Sequence, residues 1–104
     1  IARLIDALGG NELSAYGLCH LGDYEATLFS PYSHNRMFGE KFVKNEPYTD
    51  LAEGYYAVDA LLRLGKTVSA DLPICRAVYN VLYKGENAHD EVNDLFTRSI
   101  KNEF

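Results

Sequence analysis

Apolar side chains return at helical spacing, between helix-stopping residues, along almost the whole chain. Ile1, Leu4, Ile5 and Leu8 follow the i, i+3, i+4, i+7 rule, and Gly9 and Gly10 close that first segment. No sustained apolar/polar alternation bounded by hairpin turns competes with this pattern. The chain therefore reads as all-α, six or seven helices packed as one multi-helix bundle without internal repeats. At 104 residues it can hide roughly 65% of its unfolded surface, which supports one core and so a single domain over residues 1–104.

Punctuating residues place the other elements. Asn11 is the expected cap of a short helix reaching Tyr16, and Gly17 opens GLCHLGDYEATLF, whose glycines predict a turn feeding a third helix with Asp23 near its start. Ser33 is the expected cap of the next helix, with Phe38 and Phe42 one turn apart and Pro47 ending it. A longer helix is expected from Leu51 to Leu64, burying Ala57, Ala60, Leu61 and Leu64 and closed by Gly65. Asp71 is the expected cap of a helix with Pro73 in its first turn and Cys75, Val78, Tyr79 and Leu82 inside, ending at Gly85. Asn87 then caps a last helix with Val92, Leu95, Phe96 and Ile100 as its stripe.

Charge and composition narrow the function. Ten Lys plus Arg against fifteen Asp plus Glu give a net charge of -5, which argues against a broad nucleic-acid footprint. No apolar run approaches the roughly 20 residues of a membrane span, and IARLIDALGG lacks a signal-type pattern, so a cytoplasmic domain with no membrane partner is expected. Cys19 and Cys75 are too far apart for a Cys-x-x-Cys site and read as buried reduced thiols. The start at Ile1 suggests a piece of a longer protein.

Two polar stretches interrupt the apolar pattern, GLCHLGD and SPYSHNRMFG. In the second, Ser33, His34, Asn35 and Arg36 bring a hydroxyl, an imidazole, an amide and a guanidinium to one helix N-terminus, a set suited to an anion and equally to an ordinary cap. His20 and Asp23 share a helix face but have no third ligand at metal spacing, so no metal is assigned. His89 is read as a surface imidazole, and Tyr55, Tyr56, Tyr79 and Tyr83 as packing residues with polar tips. Gly54, after Glu53, permits close approach of a ligand or a neighbouring helix. No serine-type nucleophile, P-loop or dinucleotide fingerprint is present.

Taken in order, GLCHLGD, SPYSHNRMFG, LAEGYYAV and LPICRAVYNVLYKG resemble the C-terminal domain of bacterial NAD(P)-dependent glycerol-3-phosphate dehydrogenase, over nearly the whole chain. The family pattern runs roughly G-L-x-G-L-G-D, S-R-N-R-x-F-G, V-x-E-G and M-P-I with Val-Tyr a few residues on. The resemblance implies a helical substrate domain like that of 6-phosphogluconate dehydrogenase, following an upstream Rossmann domain that holds most of NAD or NADP. It also implies a small phosphorylated substrate in the cleft between the two and a homodimeric parent.

Carried over by motif, the resemblance assigns substrate binding to Asp23, Ser33, His34 and Asn35, and cofactor contact to His34, Leu51 and Glu53. The family's proton-transfer lysine lies upstream, and none of Lys41, Lys44, Lys66, Lys84 or Lys101 aligns with it, so this chain alone is expected to be inactive. Two positions depart from the pattern: His20 stands for glycine and His34 for an arginine that binds substrate phosphate. Imidazole is shorter than guanidinium and only partly charged near neutrality. Beside interconversion of dihydroxyacetone phosphate and glycerol 3-phosphate stand two other readings, a diverged dehydrogenase for another anionic substrate and a non-catalytic binding or dimerisation module.

Overall fold

The computed structural model describes residues 1–98. Among them it contains six α-helices and no strand: α1 (Ala2–Ala7), α2 (Asp23–Thr27), α3 (His34–Val43), α4 (Glu53–Thr67), α5 (Pro73–Lys84) and α6 (Ala88–Thr97). A 3-10 helix, Glu12–Tyr16, and a π-helical turn, Leu18–Gly22, join α1 to α2. The turn expected at GLCHLGD is thus a wide helical turn that runs directly into α2.

Side-chain caps set three helix starts. The side chains of Asn11, Ser33 and Asn87 accept from the amides of Leu13, Arg36 and Asp90 at 3.0, 3.4 and 3.1 Å, satisfying first-turn donors that the helix leaves open. Asp71 is not the cap of α5. Leu72 takes that place and, having no polar side-chain atom, makes no cap bond; Pro73 follows at the first helical position, where its missing amide costs nothing.

Helix ends deviate further from expectation. α3 stops at Val43, ahead of Pro47, where Asn45 adopts φ 55 and Glu46 returns its amide to the Lys41 carbonyl at 2.8 Å. Gly65 does not close α4. The helix continues to Thr67, Ser69 takes the left-handed position at φ 54, and the Ala70 amide bonds the Gly65 carbonyl at 2.9 Å. Gly65 is instead buried where α4 meets Leu72; a Cβ there would lie 3.0 Å from Leu72 Cδ1 and 3.3 Å from the Ala70 carbonyl oxygen. It is a packing glycine.

The core is small. Ala52, Val58, Leu72 and Ala77 are buried around the α4–α5 pair, and Ala2, Leu4 and Ala15 are buried in the N-terminal region. The Arg3 guanidinium reaches the Asp71 carbonyl at 3.3 Å, tying α1 to the approach to α5. The inner face of α4 is Val58 and Gly65, rotated away from the expected stripe: Ala57, Ala60 and Leu64 are exposed and Leu61 is half-buried. On α6, Val92 and Phe96 are exposed and only Leu95 of the expected stripe is partly covered, while Ile100, like Lys101, lies outside the described residues. Helical period locates an apolar face, but which part is covered depends on neighbours brought in from elsewhere. Neither thiol is buried as expected: Cys75 is only half-buried, and Cys19 is exposed, its Sγ 3.5 Å from the Ser14 carbonyl.

Aromatic stacking joins α3, α4 and α5. The rings of Tyr79 and Tyr83 stack at 4.7 Å, Tyr83 stacks on Tyr55 at 4.7 Å, and the Tyr83 hydroxyl donates to the Tyr55 carbonyl at 2.5 Å. Phe38 meets Tyr55 edge-on at 5.9 Å and lies tilted against Phe42 at 5.8 Å. This cluster fixes the start of α3 beside the start of α4.

Candidate functional site

His34, Asn35, Asp50, Leu51 and Glu53 line one open cleft of about 380 Å³ where the N-termini of α3 and α4 meet. Four of these five are residues that the family resemblance singles out, although the two groups lie far apart in sequence.

A single hydrogen bond holds the junction. α4 begins after Ala52, which offers no side-chain cap, and Asn35 supplies the missing acceptor from α3: its Oδ1 takes the Gly54 amide at 2.9 Å. The approach is tight at glycine: a Cβ on Gly54 would sit 3.0 Å from Asn35 Oδ1 and 3.2 Å from its Cγ, so a larger residue would have to displace the Asn35 side chain. The close approach allowed by Gly54 is therefore realised by a neighbouring helix.

His34 is held by a residue that sequence reading did not single out. Its Nδ1 and the Tyr48 Oη share a hydrogen bond of 2.8 Å, and Tyr48 is braced edge-on against Phe38 at 5.7 Å. Partial burial, reinforced by the Asp50 carboxylate, raises the Tyr48 phenol above its ordinary 10.0, so at neutral pH it keeps its proton and can donate. With Nδ1 engaged, Nε2 is the imidazole nitrogen left for other partners.

The remaining assigned residues stand apart from this arrangement. Ser33 precedes the cleft and its hydroxyl caps α3, accepting the Arg36 amide. Arg36 itself lies 3.7 Å from Glu40, which with Lys44 at 2.9 Å forms a surface ion-pair row along α3. The hydrogen bond and charge of Lys44, then Arg36, lower the Glu40 carboxyl below its ordinary 4.5. Asp23 is the exposed first residue of α2 and does not line the cleft. Asp50 and Tyr48 were missed, and nothing in their spacing marks them; only folding brings their loop against α3.

The cleft's electrostatics are specific. Its lining carries two carboxylates, Asp50 and Glu53, and one imidazole. Leu51, 61% exposed, adds an uncovered apolar side chain beside them. Such a mixture orients a small polar ligand and gives a planar ring an apolar ledge, but does not by itself favour a dianion.

An all-helical domain with a polar cleft between two helix N-termini is the class that fold and site define. The profile of the family described as NAD-dependent glycerol-3-phosphate dehydrogenase C-terminus matches residues 1–93, and the chain belongs to that family. It is 38% identical over 108 residues to glycerol-3-phosphate dehydrogenase [NAD(P)+] of Thermus thermophilus, covering 99% of this chain and 34% of the relative. It is 36% identical over 111 residues to the enzyme of the same name from Syntrophomonas wolfei, covering 100% and 32%. With glycosomal glycerol-3-phosphate dehydrogenase [NAD(+)] of Leishmania mexicana it shares 34% over 110 residues, covering 99% and 30%. The chain thus spans about a third of the length of these relatives.

Proposed function

We propose that this chain is the substrate domain of an NAD(P)-dependent dehydrogenase that interconverts dihydroxyacetone phosphate and glycerol 3-phosphate, working with an upstream nucleotide-binding domain in a homodimeric parent. The observation that carries this reading is the convergence of His34, Asn35, Leu51 and Glu53 on one cleft. Family membership supplies the reaction class and the cofactor.

In this reading His34 Nε2 and the free amide group of Asn35 hold the substrate, with Ser33 fixing the start of α3 beneath them. Asp23, exposed at the start of α2 and outside this cleft, is assigned no contact with substrate held there. Leu51 and Glu53, with His34, hold the nicotinamide end of NAD(P), the exposed Leu51 side chain suiting the ring face and polar neighbours the carboxamide. When bound, NAD(P)H supplies the hydride; this chain's residues orient the ketone that receives it.

Charge arithmetic assigns the rest. Two unit charges roughly 6 Å apart interact by about 3 kcal/mol at an effective dielectric of about 20, so one imidazole does not offset two carboxylates toward a phosphate dianion. The phosphate therefore needs a cation from the upstream part of the parent, consistent with a lysine there. The same need leads to the expectation that this chain alone shows no turnover.

Initial rates of NADH oxidation with dihydroxyacetone phosphate by the full-length parent test the proposal. His34→Ala should raise KM for dihydroxyacetone phosphate about tenfold, the loss of one hydrogen bond to a charged group, and Glu53→Ala should raise KM for NADH. Absence of turnover with dihydroxyacetone phosphate, or kinetic silence of both variants, would overturn it.

A further inference from the structure

A second groove lies between α4 and α5 and shares no residue with the His34 cleft. It encloses about 260 Å³ and is lined by Asp59, Leu62, Arg63 and Lys66 from α4 and by Arg76, Tyr79, Asn80 and Lys84 from α5. On α4 these residues fall at i, i+3, i+4 and i+7; on α5 Arg76, Asn80 and Lys84 fall at i, i+4 and i+8, so each set is one helical face. The Tyr83–Tyr55 bond at one end and the Leu72–Gly65 contact at the other hold the two faces opposite each other.

The charge in this groove runs against that of the whole chain. The protein carries fifteen acidic and ten basic side chains, yet the groove gathers four of the ten bases against one acid, Asp59. Asp59 is committed to Arg63 one turn away. Lys66, Arg76 and Lys84 have no ion pair among the described residues, and Glu91 on α6 takes the Asn80 amide at 3.3 and 3.4 Å. Cations crowded together without counterions repel one another and focus a positive potential into the concavity between the helices.

We propose that this groove binds a small molecule carrying two or more phosphates, at a site separate from the substrate cleft. The extent of the cationic row selects that class. Arg76 and Lys84 are eight residues apart on one helix, about 12 Å along its axis, so linked phosphates engage more of this cationic row at once than a single phosphate does. Arg76 and Arg63 offer planar donor forks suited to phosphate oxygens, Lys66 and Lys84 add point charges, and Leu62 and Tyr79 form the wall behind them. The proposal rests on this geometry alone and not on the assignment of the His34 cleft.

Inorganic pyrophosphate is the probe. It is titrated calorimetrically into the full-length parent at fixed ionic strength, with and without saturating glycerol 3-phosphate. One pyrophosphate should bind and stay bound when glycerol 3-phosphate fills the substrate cleft. Arg76→Gln and Lys84→Gln should each weaken it about tenfold while turnover without pyrophosphate stays within about twofold of wild type. Circular dichroism checks that both variants fold, as substitutions of exposed side chains on intact helices should. Displacement of pyrophosphate by glycerol 3-phosphate, unchanged affinity in both variants, or equal affinity for inorganic phosphate would each overturn the proposal.

Discussion

At the scale of single residues, the cleft is built by side chains that serve as structure and as candidate ligands at once. Asn35 is the clearest case, because its carbonyl oxygen caps α4 while its amide group remains available. Gly54→Ala tests this double duty. The added methyl would lie 3.0 Å from Asn35 Oδ1 and should push that side chain off the Gly54 amide. Losing the cap costs about 1 kcal/mol, and replacing glycine by alanine in a helix returns about as much, so thermal stability should change little. The displaced Asn35 should nevertheless raise KM for dihydroxyacetone phosphate in the parent; unchanged KM would confine Asn35 to capping. The Tyr48–Asp50 pair gives a second prediction. Since partial burial and then Asp50 raise the phenol above 10.0, the stabilising state is the neutral one, present below 10.0 and lost as pH rises through the shifted value. Asp50→Asn should lower the Tyr48 titration toward 10.0 in an ultraviolet pH scan, leaving the bond to His34 intact at neutral pH.

At the scale of elements, three of the four expected caps were legible, Asp71 being the exception, and the covered faces were not. Asn11, Ser33 and Asn87 act within a few residues of their own amides, so sequence reading found all three. Which side of α4 faces inward depends on where α5 crosses it, and the local period of Ala57, Ala60, Leu61 and Leu64 cannot report that. Gly65 shows the same limit, being read as a helix stop when its role is to let Leu72 approach. That contact predicts the sign of Gly65→Ala. Helix propensity favours alanine by about 1 kcal/mol, while crowding a packed contact costs about 1–3 kcal/mol. The neighbours are the buried Leu72 and a backbone carbonyl held by the helix end, neither free to yield, so the crowding wins. Thermal unfolding should show net destabilisation of about 1 kcal/mol, whereas a rise in Tm would mean that the α4–α5 contact relaxes. The cleft was partly legible for a related reason. Short motifs name residues on one element, but Tyr48 and Asn35 act across 14 and 19 positions of sequence, distances at which no local pattern carries information.

At the scale of the whole molecule, the chain is open. It exposes 7626 Å², against about 5,900 Å² for a compact monomer of its 11.7 kDa mass, and its radius of gyration is 14.5 Å where about 13 Å is typical. The surplus of about 1,700 Å² on one partner is the size of an obligate interface, larger than the roughly 800 Å² per side of a standard stable one. Large apolar side chains occupy that exposed surface: Leu18 is 90% exposed, Phe29 82%, Tyr32 84% and Phe96 84%. Apolar area removed from water is worth roughly 25 cal/mol per Å², so even a third of the surplus, if apolar, represents well over 10 kcal/mol of association driving force before entropic costs. Some cover is therefore expected, from the upstream domain or from a second copy. The chain expressed alone should self-associate with rising concentration in sedimentation velocity and bind a hydrophobic dye, and joining it to the upstream part of the parent should suppress both. The contrast between the two preparations decides the matter. If the isolated chain stays monomeric at high concentration and binds no dye, the exposed helices repack on themselves in solution and the open arrangement of α2 and α6 is not the one this chain adopts alone. If the joined protein binds dye as strongly as the fragment, the exposed face is not where the upstream domain sits.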